Sequence, residues 1–249
     1  MITDSFSTAS EPIITVESCV GPQKHLVDTC IVTFSEVILQ SVLDGYACEQ
    51  VGRIRTCGGV TPLYALSHQG RRLGVLKAHM GSAMAASDVI ETNWLTGAET
   101  FIVFGSCGCV NREKAQGKYV IPTAAYRDEG MSYHYAPPDD YIPMPGAEKT
   151  ARIFERLGLP YALGKVWSTD AFYRELRHQM LKRKEEGCLA VDMEAAGIQA
   201  VCDFHHFKLH YFLMTGDVLD QPEWSIGDLH TANHHLDNFQ IALKIAEEL

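Results

Sequence analysis

Short apolar runs alternate with segments of helical periodicity along most of this 249-residue chain. The runs that indicate buried strands are Cys30–Phe34, Leu73–Leu76, Thr100–Phe104, Tyr119–Ile121 and Leu209–Met214. The segments that indicate helices are Glu36–Leu43, Ala83–Leu95, Lys149–Leu157, Phe172–Glu185, Glu194–Phe204 and His234–Glu248. This alternation predicts a layered α/β fold with a largely parallel sheet. Because the sequence contains no internal repeat or linker, we expect one domain over residues 1–249, with residues 1–30 a peripheral N-terminal segment.

The charge balance excludes several classes of partner. The chain has 31 acidic and 21 basic residues, for a formal net charge of −10, and such a surface repels nucleic acid and anionic membranes. It has no apolar stretch of the roughly 20 residues that a transmembrane helix needs, and its N-terminus does not resemble a secretory signal. We therefore expect a cytoplasmic protein whose eight cysteines are reduced thiols.

Ligands of parallel α/β sheets bind at the carboxyl ends of the strands. Two segments at such positions are candidates for a ligand site. Gly105–Gly108 follows the strand that ends at Phe104, so Ser106 and Gly108 are predicted to line a ligand-binding loop, with a tight turn as the alternative. Gly216 and Asp217 follow the last predicted strand. An acid at this position can serve as a general acid, and the alternative is an Asx turn.

Two further segments combine aromatic and charged side chains. Residues 126–135 contain Arg127, three tyrosines and a histidine, which favours a ligand site or a subunit interface over a plain surface loop. Residues 167–175 contain Phe172 and Arg174. This pattern suits recognition of a flat polar ligand such as a nucleobase, and a helix cap is the alternative.

Paired carboxylates occur in Leu189–Gly197. If the first part of this segment is a strand, Asp192 and Glu194 lie on one face because residues two apart share a face, with Met193 on the other. Two carboxylates that point together can accept hydrogen bonds from the vicinal hydroxyls of a sugar. The alternative is an acidic pair at a helix N-terminus, where negative charge is favourable.

From about Arg71 to the C-terminus, these segments resemble the family of uridine phosphorylases, hexameric purine nucleoside phosphorylases and methylthioadenosine nucleosidases. The motifs that carry the resemblance are Val-Phe-Gly-Ser-Cys-Gly at 103–108, Thr-Asp-Ala-Phe-Tyr at 169–173, Val-Asp-Met-Glu-Ala-Ala-Gly at 191–197 and Gly-Asp at 216–217. The resemblance implies a three-layer α/β sandwich around a mixed, partly barrel-like sheet. It also implies cleavage of the N-glycosidic bond of a nucleoside.

Residue roles follow from the same resemblance. Glu194 looks like the carboxylate that holds the ribose hydroxyls, Met193 packs against the sugar, and Asp192 is the other acid of that motif. Phe172 looks like the aromatic residue that stacks on the base, and Ser106 and Gly108 match the loop at the phosphate and ribose end. Asp217 resembles the acid that protonates a purine. Residues 127–134 are instead closest to the uridine phosphorylase branch, so both base classes stay open.

The anion site departs from the family pattern. The arginine that precedes the Gly-Ser loop is replaced by Val103, and the usual N-terminal Gly-Asp-Pro is absent. Phosphate requires charge-assisted donors, so either Arg127, Arg174 or the pair Arg53 and Arg55 supplies them, or water replaces phosphate as in the nucleosidases. A catalytically silent nucleoside-binding protein is the third alternative.

The resemblance implies no cofactor and no metal, with inorganic phosphate as co-substrate and a small-molecule nucleoside as substrate. It also implies a homo-oligomer, a dimer or a hexamer. His230 and His234 are spaced for one face of a helix, but with no obvious further ligand we interpret them as polar surface residues rather than metal ligands.

Overall fold

The computed structural model describes all 249 residues. Its strands are β1 (Thr29–Thr33), β2 (Cys48–Thr56), β3 (Gly59–His68), β4 (Arg71–Lys77), β5 (Thr100–Cys109), β6 (Tyr119–Asp128), β7 (Tyr141–Pro143), β8 (Tyr161–Thr169), β9 (Cys188–Asp192) and β10 (Lys208–Val218). Its helices are α1 (Val16–Val20), α2 (Glu36–Gly45), α3 (Ser82–Thr96), α4 (Arg112–Ala115), α5 (Ser132–Tyr135), α6 (Ala147–Arg156), α7 (Arg177–Glu185), α8 (Ala195–His205) and α9 (Asp237–Glu247). Short 3₁₀ turns occupy Ile2–Asp4, Phe172–Arg174 and Ala232–His234.

All ten strands form one mixed sheet in the order β10-β6-β8-β9-β5-β1-β4-β3-β2, with β7 paired to β6. Strand β1 runs parallel to β4 and β5, and β10 runs parallel to β5. Because β10 pairs with both β5 and β6, the strands β5, β10, β6, β8 and β9 close into a ring. The sheet is therefore open at the β2 edge and barrel-like at the other.

Helices cover both faces of the sheet, which is why the central strands are apolar on both sides. Along β5, Phe101 and Val103 belong to the apolar cluster that includes side chains of α3 and α8. The alternate residues Ile102 and Phe104 belong to the cluster that includes side chains of α2, α6 and α9. The predicted three-layer sandwich with a mixed, partly barrel-like sheet is confirmed.

Local signals explain where helices begin and end. Helix α2 starts after Ser35, whose side chain accepts a hydrogen bond from the backbone N–H of Ile38, as a good N-cap does. Helix α3 ends at Gly97, which has a φ of 85°. Glycine adopts this left-handed conformation without the steric penalty of a Cβ atom.

Several predicted boundaries need correction. Strand β5 runs on to Cys109, so the predicted loop 105–108 is part of a strand. The predicted helix Phe172–Glu185 is a 3₁₀ turn followed by α7, which begins only at Arg177. The hairpin of β2 and β3 was missed because polar side chains interrupt its apolar pattern.

The N-terminal segment is largely exposed up to residue 26, whereas the buried strand β1 begins at Thr29, inside the predicted segment 1–30. None of the helices has the length and apolar character needed to cross a membrane.

Candidate active site

A cavity of about 480 Å³ lies beside the ends of β1, β4, β8 and β9. Residues of β5 and β10 contribute to its wall. Four acidic side chains and two histidines line it, and no lysine or arginine does. The acidic and histidine side chains are Glu175, Asp192, Glu194, Asp217, His230 and His234. The cavity therefore has the location predicted from the parallel sheet but not the basic character expected of a phosphate site.

Glu194 occupies the N-cap position of α8 and is buried, with 6% of its surface exposed. Its Oε1 accepts a hydrogen bond of 2.6 Å from the backbone N–H of Gly81, in the loop after β4. Its other carboxylate oxygen has no protein donor and is available to a ligand. Burial, with the neighbouring Asp192, raises the pKa of Glu194 to about 8.

Asp192 is the last residue of β9, and both of its carboxylate oxygens accept hydrogen bonds from the protein. Its side chain accepts hydrogen bonds from the Ser168 hydroxyl at 2.6 Å, the Tyr211 hydroxyl at 3.2 Å and the backbone N–H groups of Ala195 and Glu194 at 2.8 and 3.4 Å. Burial raises its pKa, which these hydrogen bonds oppose. The strand ends at Asp192, and Glu194 is the N-cap of α8, so the predicted alternation of faces does not reach Glu194. Met193, predicted on the opposite face, lines the same cavity as the two acids. Asp192 is positioned to anchor the turn that carries Glu194.

Asp217 lies near the end of β10 and is buried. Its Oδ2 accepts a hydrogen bond of 2.8 Å from the indole N–H of Trp224, in a segment to which sequence reasoning assigned no role. A Cβ atom on Gly108 would lie 2.6 Å from a methyl group of Leu219, 2.9 Å from one of Val191 and 3.2 Å from Oδ1 of Asp217. Gly108 thus permits close packing of strands beneath Asp217 and does not form a flexible loop.

Glu175 is a site residue that the sequence motifs did not identify. It follows the 3₁₀ turn after β8, lines the cavity near Asp217 and makes no hydrogen bond to the protein. Burial, together with the charge of Asp217, raises its pKa to about 8. No motif in the sequence marks Glu175. Only the fold reveals that its carboxyl group is partly buried in a cavity without a protein partner.

The remaining predicted residues of the cavity are Phe172, Met193 and Ser106. Phe172 is 37% exposed and packs edge to face on Tyr173, with the two ring centroids 5.0 Å apart. The Ser106 hydroxyl makes no hydrogen bond to the protein and is free to bind a ligand.

The arginines proposed from sequence lie elsewhere. The guanidinium of Arg127 is buried, stacks on Tyr133 and donates hydrogen bonds to Ser132 Oγ and to the carbonyl oxygens of residues 136, 137 and 139. It holds its own loop together and does not line the cavity. Arg174 is exposed outside the cavity, as are Arg53 and Arg55 on β2.

One end of the cavity is formed by Phe34, Asn233 and His234, none of which was predicted as a nucleoside-site residue. His234 Nδ1 lies 2.6 Å from the hydroxyl of Ser35. Asn233 Oδ1 is buried without a hydrogen-bond partner. The spacing of His230 and His234 had suggested a metal or a plain surface, whereas both line this cavity.

The fold and the cavity define an α/β protein whose site, lined by four acidic side chains, suits a polar ligand that presents several hydrogen-bond donors. A family model described as the phosphorylase superfamily matches residues 30–249, and the chain belongs to that superfamily. The family and the class of enzyme predicted from the motifs are confirmed.

Several curated proteins are similar over most of the chain. A purine nucleoside phosphorylase DeoD-type of Exiguobacterium sp. is 25% identical over 201 residues, which cover 80% of this chain and 81% of that protein. One of Colwellia psychrerythraea is 29% identical over 195 residues, or 76% and 80% of the two chains. A purine nucleoside phosphorylase DeoD-type 2 of Vibrio cholerae is 31% identical over 159 residues, or 61% and 64%.

Proposed function

We propose that this chain cleaves the N-glycosidic bond of a nucleoside by phosphorolysis, releasing the free base and ribose or deoxyribose 1-phosphate. The observation that carries the proposal is the buried Glu194, which has one unpartnered carboxylate oxygen in a cavity that also contains Phe172 and Asp217. No cofactor takes part in this reaction, and phosphate is the co-substrate.

The sugar lies against the start of α8. Glu194 accepts hydrogen bonds from the ribose hydroxyls, and Met193 packs against the sugar ring. Asp192 fixes the turn between β9 and α8 through its contacts with Ser168 and Tyr211, so that Glu194 is held in place before the substrate binds. Such preorganisation is the main source of electrostatic catalysis.

The base lies between Phe172 and Asp217. Phe172 stacks on its face, and Asp217 donates or shares a proton as the glycosidic bond breaks. The bonding electrons leave with the base, C1′ becomes oxocarbenium-like, and an oxygen of phosphate then adds to C1′. The similarity to purine nucleoside phosphorylases and the acid at position 217 favour a purine over a pyrimidine.

Phosphate lies at the end of the cavity formed by Phe34, Asn233 and His234, next to the hydroxyl of Ser106. The hydroxyl of Ser35 accepts the Ile38 N–H and has one proton, which it donates to Nδ1 of His234. We assign the Ser35 hydroxyl as the donor in this contact, which places the imidazole proton of His234 on Nε2. His234 then donates to a phosphate oxygen. In the phosphorylases that the sequence resembles, arginine side chains take this role.

Hydrolysis is the second candidate, and a specific observation favours it: no lysine or arginine lines the cavity. Glu36 begins α2, in roughly the region where nucleosidases of the family that the sequence resembles carry a water-positioning glutamate. It forms an exposed ion pair with Lys77 at 2.9 Å and does not line the cavity. Water as nucleophile would therefore need another base.

Chromatography of products from a panel of purine and pyrimidine nucleosides, with and without phosphate, tests these alternatives. Release only with phosphate, with a sugar 1-phosphate as co-product, supports phosphorolysis. Equal release without phosphate supports hydrolysis. Tight nucleoside binding with no release under either condition supports a silent binding protein and contradicts both enzymatic proposals.

Assembly and location stay predictions. We infer a homo-oligomer, a dimer or a hexamer, in which a second copy covers the cavity rim, where Met80 is 73% and Tyr173 94% exposed. Sedimentation at several protein concentrations tests the assembly. A cytoplasmic location is the expectation from the sequence.

A further inference from the structure

Glu175 lies where two cavities meet. The main cavity and a neighbouring one of about 300 Å³ share Phe172, Tyr173, Glu175 and Asp217. The neighbouring cavity is otherwise lined mainly by apolar side chains, with Met180, Leu219 and Trp224 among them. A ligand that reaches Asp217 from the sugar side therefore also meets Glu175.

Hydrogen-bond acceptors outnumber the available donors at this junction of the two cavities. Asp217 already accepts the indole N–H of Trp224 at 2.8 Å, while the Glu175 carboxyl group has no protein partner. Arg177, the cation of the neighbouring cavity, donates to the carbonyl oxygens of Gln221 and Pro222. The two carboxyl groups thus face the ligand mainly with acceptors.

Glu175 holds a proton near neutral pH. Burial and the charge of Asp217 raise the pKa of Glu175 to about 8. When that proton passes to a ring nitrogen of the departing base, both groups are carboxylates and can only accept hydrogen bonds. An exocyclic amino group beside that ring nitrogen then offers a matching donor, whereas an exocyclic carbonyl oxygen faces carboxylate oxygens without one.

We propose that Glu175 is a specificity-determining residue that selects nucleosides whose base carries an exocyclic amino group, the 6-aminopurine class, over 6-oxopurines. The inference rests on the proposed function. In the reaction, the C1′–N bond breaks and its electron pair stays with the base. The proton that Glu175 holds moves to the ring nitrogen, and a phosphate oxygen bonds to C1′. The acid pair regains a proton from solvent when the base leaves.

The test compares adenosine with inosine at saturating phosphate in the wild-type protein, Glu175→Gln and the control Glu185→Gln, an exposed residue of α7 outside both cavities. We expect the wild type to have at least a tenfold higher kcat/KM for adenosine. Glu175→Gln should reduce this ratio at least tenfold, because its amide N–H can donate to the 6-oxo group. Glu185→Gln should keep the wild-type ratio.

An inosine preference in the wild type, or a Glu175→Gln protein that loses both activities equally, overturns the inference. Calorimetric binding of adenine and hypoxanthine gives a readout that does not depend on turnover or on Glu175→Gln folding. If no nucleoside is cleaved, the proposed function fails, and base binding alone judges the role of Glu175. Tighter binding of adenine supports it, and equal affinity or tighter binding of hypoxanthine overturns it.

Discussion

The hydroxyl of Ser35 lies 2.6 Å from Nδ1 of His234, although the two residues are 199 positions apart. This hydrogen bond joins the N-cap of α2 to the 3₁₀ turn that lines one end of the cavity. A helix cap of the first strand-to-helix connection therefore also orients a side chain from the last part of the chain.

If His234 binds phosphate, Ser35→Ala should raise the KM for phosphate about 2- to 10-fold, because His234 loses the hydrogen bond that orients it. One neutral hydrogen bond contributes about 0.5–1.5 kcal/mol. The KM for the nucleoside should stay unchanged. Because Ser35→Ala also removes a helix cap, Asn111→Ala, which removes the cap of α4 away from the cavity, controls for lost stability. Equal changes in both KM values of Ser35→Ala would contradict the role.

At pH 9, above the pKa of about 8 of Glu194, Glu194→Ala should lower kcat/KM by about 10²- to 10⁴-fold, because two hydrogen bonds to a carboxylate are each worth about 1.5–3 kcal/mol. The fold should persist, as judged by circular dichroism and the melting temperature. Glu155→Ala, at an exposed position of α6, is the matched control. Wild-type kinetics in Glu194→Ala would remove this residue from the site.

The stability of the protein should depend on pH through the same carboxyl group. The pKa of Glu194 is raised from an ordinary 4.5 to about 8 by burial and by Asp192. Between these values the folded protein holds a proton that the unfolded chain has released, so the contribution of Glu194 to the free energy of unfolding falls as pH rises from about 4.5 to 8.

Glu194→Gln should therefore melt at a higher temperature than the wild type at pH 8, and the difference should shrink toward pH 4.5. Each 1 kcal/mol corresponds to about 2–4 °C in a chain of this size. Differential scanning fluorimetry across this pH range measures the effect, with Glu155→Gln as the control. A pH-independent difference between Glu194→Gln and the wild type would argue against a raised pKa.

Gly108→Ala should destabilise the protein by about 1–3 kcal/mol, the usual effect of overpacking, because the new Cβ would lie 2.6 Å from Leu219 and 2.9 Å from Val191. Displacement of Asp217 should reduce kcat as well. Gly45→Ala is the control, since a Cβ at Gly45 meets no atom within 4 Å. Equal melting temperatures for the two variants would show that the packing at Gly108 relaxes freely.

Phe172→Ala should mainly raise the KM for the nucleoside, since stacking of an aromatic side chain on a base is worth about 1–3 kcal/mol in nucleic-acid sites. Phe204→Ala removes a phenylalanine of similar exposure, 41% against 37%, outside the cavity. An unchanged nucleoside KM in Phe172→Ala would place the base elsewhere.

Local sequence determined much of the fold. The apolar runs of β1, β4, β5 and β10 are continuous because both faces of these strands are buried, and such runs are readable without tertiary information. Strand β2 is half exposed and its only buried residue is Ile54, so its pattern was too weak to predict. Propensity and hydrophobic periodicity reflect which residues are buried. They therefore predict a strand poorly when it lies, as β2 does, at the edge of the sheet.

In the site, the sequence by itself determined the segment of Asp192, Met193 and Glu194, because neighbouring residues share one strand-to-helix turn. Only the tertiary structure decided that Glu175 faces Asp217. It also decided that Arg127 is occupied by its own loop. The physical reason is that covalent neighbours are positioned by backbone geometry, whereas distant side chains are brought together, or kept apart, by the packing of whole strands and helices.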